Sequence, residues 1–139
     1  MSYLLDTCVV SEAVRKIPHP KILRWIDSQN ESNLYLSVIT IGEIEKGVAK
    51  LSDSKKKRRI RHWLEKDLRQ RFQNRILPIS EEIAIQWGMI QGHAEKIGRR
   101  LPTLDSLIAA TALVCDLIVV TRDTQAIEAS GAKIFNPWE

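Results

Sequence analysis

Short apolar runs and helix-periodic stretches alternate along almost the whole of this chain, and that order leaves few folds open. Tyr3 to Leu5, Leu34 to Ile39, Ile76 to Ile79, Leu117 to Val120 and the pair Ile134-Phe135 read as strands, short and rich in β-formers. The stretches between them carry apolar residues at helical spacing. Val9 to Lys16 predicts a helix stopped by Pro18 and Pro20, and Lys21 to Ser28 a second with Ile22, Trp25 and Ile26 on one face. Thr40 is expected to open a helix reaching Leu51. Ile60, Trp63, Leu64, Leu68 and Phe72 mark another, with charges on its opposite side. Ser80 caps a long helix that Gly98 ends, and Thr103 caps an alanine-rich one from Leu104 to Cys115. A short helix fits between Asp123 and Ser130. Alternation of this kind implies a parallel sheet wrapped by helices through right-handed crossovers. Pro78 puts the third strand at an edge, because a proline cannot donate to the ladder.

The chain has 139 residues, enough for one domain that buries its own core, and shows no repeat, linker or low-complexity stretch. No apolar run approaches the roughly 18 residues needed to span a membrane. The start, Met1-Ser2-Tyr3, enters a strand directly and lacks the pattern of a signal peptide. Cys8 and Cys115 sit in apolar stretches without metal-ligand spacing, so both are expected to be reduced core thiols in a cytoplasmic protein. The net charge of +4 is unevenly spread: Lys55 to Arg75 holds ten Lys/Arg and two acids, and the remainder is −4. Such a basic arm suits a polyanionic partner, or is the solvated face of an amphipathic helix.

Asp6, Glu43, Asp105 and Asp123 stand at or just past the ends of apolar runs, or in the first turn of the helix that follows. In an open α/β sheet, ligands bind at that edge. Singly, each acid has a structural explanation. Asp6 and Asp123 suit N-caps, Glu43 stands in a capping-box relation to Thr40, and Asp105 favours the positive end of its helix. Together they suit phosphodiester hydrolysis, in which carboxylates hold Mg²⁺ or Mn²⁺ while a water is activated and charge on the phosphoryl oxygens is stabilised. His19, His62 and His93 are too scattered for zinc. Gly42 and Gly47 have Walker A spacing, but Val48-Ala49 stands where Lys-Ser/Thr is required, and no GxGxxG follows a strand.

Leu5-Asp6-Thr7, Thr40-Ile41-Gly42-Glu43-Ile44, Leu104-Asp105-Ser106-Leu107-Ile108-Ala109-Ala110-Thr111-Ala112 and Val120-Thr121-Arg122-Asp123 resemble the PIN domain. More narrowly, they and the ending Asn136-Pro137-Trp138 resemble the VapC/FitB-type toxins of type II toxin–antitoxin pairs. The resemblance spans residues 1–139 and implies a single PIN-like domain of the α/β class with a five-stranded parallel sheet flanked by helices. It further implies an endoribonuclease dependent on Mg²⁺ or Mn²⁺, acting on tRNA or rRNA. Asp6 and Asp105 would be the main catalytic metal ligands, Glu43 would ligate or position the metal and its water, and Asp123 would complete the pocket. Many relatives of the FitB branch carry Asn at the last position, which implies a lesser part for Asp123. The implied partners are a cognate small antitoxin, an RNA substrate, operator DNA reached only through the antitoxin, and a second copy in a homodimer.

Several residues keep two readings. Thr7 and Thr121 either bond a water or carboxylate or satisfy strand-end backbone groups. Arg99, Arg100 and Arg122 either guide RNA or are solvated, and Lys46 either meets a phosphate or pairs with Glu43 on the helix surface. Two rival functions stand beside the nuclease: a non-catalytic nucleic-acid-binding or scaffold protein of the same fold, and a phospho-acceptor signalling domain. The last needs a lysine near the final strand, where Lys133 alone is available in a poor context.

Overall fold

The computed structural model describes residues 1–139. Its five strands are β1 (Tyr3–Leu5), β2 (Leu34–Ser37), β3 (Ile76–Leu77), β4 (Ile118–Val120) and β5 (Ile134–Phe135), all parallel, in the order β3-β2-β1-β4-β5. The predicted five-stranded parallel α/β fold is therefore the observed one, and β3 lies at an edge as expected, although it stops at Leu77 and leaves Pro78 just outside the ladder. The chain first builds outward on one side of β1 and then returns to build on the other. The reversal lies between β1 and β4, and it opens a crevice at their C-terminal ends.

Helices cover both faces. They are α1 (Thr7–Val10), α2 (Pro20–Ser28), α3 (Val38–Ala49), α4 (Lys55–His62), α5 (Arg69–Arg71), α6 (Glu81–Lys96), α7 (Thr103–Cys115) and α8 (Thr124–Glu128). Side chains alternate across the pleat, as strand geometry demands. Leu5 and Val120 join Ile22, Ile44, Leu64 and Phe72 in one core layer. Leu4 and Val119 join Ile108, Ala109 and Ile127 in the other. No helix is long and apolar enough to cross a membrane.

Local details depart from the sequence expectations for identifiable reasons. β2 stops at Ser37, whose hydroxyl accepts the Ile39 N–H at 3.0 Å and caps α3. That helix thus begins ahead of Thr40, which lies inside it, fully buried, with no partner for its hydroxyl. Pro20 begins α2 instead of stopping the helix before it, since a proline's missing N–H costs nothing at a helix start. The first predicted helix is instead α1 followed by a 3₁₀ turn over Ser11–Val14. Thr103 is the first residue of α7, and Pro102 precedes it without a side-chain cap. Cys115 is exposed rather than buried, and Cys8 is only half-buried.

The basic arm is one continuous helical rod in which a π-helical segment, Trp63–Leu68, joins α4 to α5. Its inward residues Ile60, Leu64, Leu68 and Phe72 repeat every fourth position. In an α-helix that stripe would drift by about 40° per step. The wider π turn rotates it back, so Leu64, Leu68 and Phe72 all reach the core. Phe72 is 2% exposed. Phe72→Ala should cost about 3–5 kcal/mol in a urea titration, against less than about 0.5 kcal/mol for the neighbouring exposed Gln73→Ala.

Candidate active site

Asp6 follows β1 directly, Glu43 projects from the second turn of α3, Asp105 from the first turn of α7, and Asp123 stands between β4 and α8. All four carboxylates line one open cleft of about 510 Å³ at the β1/β4 crevice, together with Thr7, Cys8 and Arg122. The capping-box explanation of Glu43 fails, because Thr40 does not begin the helix. Asp6 is an N-cap, with its Oδ1 accepting the Thr7 N–H at 2.9 Å. Its second oxygen is left for other work. Asp123 makes no capping bond.

Two threonines hold these acids in place. Thr121 donates its hydroxyl to Asp6 Oδ2 at 2.8 Å and accepts the Asp123 N–H at 3.1 Å. Thr7 donates to Glu43 Oε1 at 2.7 Å, tying α1 to α3. Thr7 therefore serves a carboxylate alone, whereas Thr121 does both jobs expected of it, serving a carboxylate and a backbone N–H past the strand end. Asp105 is positioned from behind. Ser106, fully buried, accepts Trp87 Nε1–H at 3.0 Å and Gln91 Nε2–H at 2.6 Å, and sits 2.9 Å from the Pro102 and Thr103 carbonyls. This hub fastens the first turn of α7 to α6. Sequence reading missed Ser106, although a lone serine among the apolar residues of an alanine-rich helix is a signal of buried hydrogen bonding.

Cys8 was also missed as a cleft residue. Burial pushes its thiol up; a bond from the Arg122 backbone opposes this, and the Asp6 charge reinforces it. A thiol so shifted stays protonated at neutral pH and is a poor nucleophile. Arg122 is the one cation that lines the cleft. It forms no ion pair with the four acids and instead stacks on Trp138, 4.8 Å from the ring centroid. Arg99, Arg100, Lys46 and Lys133 are exposed and do not line the cleft, and Lys46 is not paired with Glu43.

The crowding of acids has an electrostatic consequence. Asp105 is pushed up to about 6, first by burial and then by the charges of Asp6, Asp123 and Glu43. No three His, Cys, Asp or Glu side chains close around a single point as a finished ligand cage would. The donor set nevertheless fits Mg²⁺ or Mn²⁺. It is all oxygen, and such ions are commonly held by one or two carboxylates while keeping several waters. An open acidic cleft offers room for those waters.

The likeness to known proteins extends over nearly the whole chain. Residues 3–132 match the PIN domain. The chain belongs to the PIN domain family. It is 40% identical over 135 residues to toxin FitB of Neisseria gonorrhoeae, covering 97% of each. It is 35% identical over 136 residues to a VapC ribonuclease of Sinorhizobium fredii, covering 98% of this chain and 97% of that one. Among solved structures, FitAB bound to a DNA fragment superposes with a TM-score of 0.92 at 38% identity, over 99% of this chain and 96% of that chain.

Within this PIN domain the raised Asp105 yields a prediction with a definite sign. The folded chain holds the Asp105 proton up to about pH 6, whereas an ordinary aspartate loses it at 3.8. The folded state thus binds more protons in that window, and Asp105 takes stability away as pH rises through it. Asp105→Asn should therefore raise the Tm of the metal-free protein at pH 8 by about 3 °C, with no gain at pH 4, in differential scanning calorimetry. Ser106→Ala should lower stability by about 2–3 kcal/mol at either pH, since it strands the Trp87 and Gln91 donors.

Proposed function

We propose that this chain is a metal-dependent endoribonuclease toxin that cuts tRNA or rRNA and is neutralised by a small cognate antitoxin. The observation that carries the reading is the convergence of Asp6, Glu43, Asp105 and Asp123 on one open cleft at the sheet's switch point, with Arg122 as its single cation. Similarity to FitB and to a VapC ribonuclease supports the activity. Similarity to FitAB bound to DNA supports an antitoxin partner and contact with operator DNA through that partner. The scaffold alternative offers no account of an acid set held this closely by dedicated hydroxyls.

In this reading Asp6 and Asp105 present the principal ligand oxygens, and Asp123 adds charge at the rim. Asp6 is bonded through both oxygens, by the Thr7 N–H and the Thr121 hydroxyl. Glu43, steadied by Thr7, orients the attacking water toward the phosphorus. Bound Mg²⁺ or Mn²⁺ would supply positive charge to the phosphoryl oxygens and acidify that water. Arg122, its plane set by Trp138, meets the non-bridging oxygens of the phosphate, where a guanidinium can donate two parallel bonds. Asp105 titrates near pH 6 in the metal-free protein, so cation affinity rises through that region as the acid ionises.

The test is cleavage of total bacterial tRNA and rRNA by purified protein in Mn²⁺, Mg²⁺ or EDTA. Discrete fragments are expected with metal and none with EDTA. Asp6→Asn and Asp105→Asn should each lower the rate by about 100-fold or more, and Asp123→Asn by only about tenfold. Intact RNA under every metal, from folded protein free of antitoxin, would remove the nuclease reading in favour of the binding module.

A further inference from the structure

The basic arm divides into two unlike faces. Arg58 pairs with Asp53, Arg61 with Glu45 and Glu65, and Arg71 and Arg75 with Glu31. Those four guanidinium groups are engaged by the protein's own carboxylates, Arg71 and Arg75 sharing one. Lys56 and Arg59 have no such partner, and both line a concavity of about 900 Å³ between α4 and the segment that follows α1. Arg15 and Lys16 line it from the opposite wall. Arg15 is occupied by the buried Glu12, at 3.1 Å, which leaves Lys16, Lys56 and Arg59 as the unpaired cations of the concavity.

The concavity is linked to the active-site cleft by shared walls. Ser11, Val14, Lys56 and Ile60 also line a neighbouring hollow whose wall includes Trp63, Thr7 and Glu43. Thr7 and Glu43 in turn line the acidic cleft. Along this path the surface is first cationic, then largely apolar, then acidic. A single nucleic-acid strand has matching parts: phosphates for the cations, flat base faces for the apolar stretch, and one phosphodiester for the acids.

We propose that this groove is the track for the single-stranded segment of the RNA substrate beside the scissile bond, with Lys16, Lys56 and Arg59 holding its phosphates. This rests on the ribonuclease reading of the acidic cleft. A protein segment would need a cation of its own to match the carboxylates, and the test below separates that occupant from RNA.

The experiment compares two triple variants that remove equal charge from neighbouring elements. Lys16→Gln/Lys56→Gln/Arg59→Gln strips the groove. Lys55→Gln/Lys66→Gln/Arg69→Gln strips exposed, unpaired positions outside it. The probe is a fluorescein-labelled bacterial tRNA pool in EDTA, followed by anisotropy across a salt series, with circular dichroism to confirm folding. Three lost phosphate contacts should lower the slope of log K against log salt by about 2, which is about 100-fold in affinity at 0.1 M salt. The control triple should stay near wild type. With Mn²⁺, the groove triple should raise KM for tRNA cleavage while keeping kcat, and should cleave bis(p-nitrophenyl) phosphate at the wild-type rate. Equal losses in both triples would overturn the track in favour of diffuse charge. Unchanged tRNA affinity together with lost binding of an acidic amphipathic peptide would overturn it in favour of a protein partner. If wild type binds tRNA through the groove residues yet cleaves neither substrate, the nuclease reading fails, and the groove is an RNA-binding surface rather than a substrate track.

Discussion

Mutual repulsion among four carboxylates is the constraint that organises this molecule's working edge. Left to themselves, acids crowded around one crevice would splay apart or take up protons, and Asp105 shows the second response. The fold counters the first with bonds aimed at individual oxygens. Thr121 holds Asp6, Thr7 holds Glu43, and Ser106 anchors the turn that bears Asp105. None of these bonds removes charge. The site thus keeps a negative potential that only a cation can relieve, and the cost of assembling it is borne by packing elsewhere in the domain.

That cost explains why the acids come from separate elements. β1 is central and its Leu4 and Leu5 are buried on both faces, so Asp6 is attached to the least deformable strand. The order β3-β2-β1-β4-β5 then brings the chain back beside it, with Thr121 and Asp123 just past β4. A doubly wound sheet is suited to this arrangement, because its switch point separates neighbouring crossover helices and leaves the crevice open. Closing the crevice with apolar side chains would give a firmer core and no site.

Much of this was legible in the sequence because period and position both spoke. The strands alternate with helices, and three of the acids fall just past a strand or in a first helical turn, with Glu43 one turn further along α3, so fold and site could be read together. What was hidden depended on partners distant in sequence. Whether Thr7 served a backbone group or a carboxylate turned on Glu43, 36 positions away. Thr121 depended on Asp6 across 115 positions. The start of α3 was misplaced because Ser37 and Thr40 are both competent caps, and only the length of β2 decides between them. Ser106 looked like one polar residue in an alanine-rich helix until α6 supplied its donors.

The basic arm shows the same limit with greater consequence. Its composition gives a charge, but function depends on which cations remain unspent once the chain has folded. Glu31, Glu45, Glu65 and Asp53, none of them in the cleft, engage four of the arm's arginines. Surface pairs of this kind add little stability. Their larger effect is subtractive: they lower the electrostatic pull of the paired arginines and leave Lys56 and Arg59 free at the groove. Net charge brings a polyanion to the protein, and the pattern of internal pairing determines where along the surface it comes to rest.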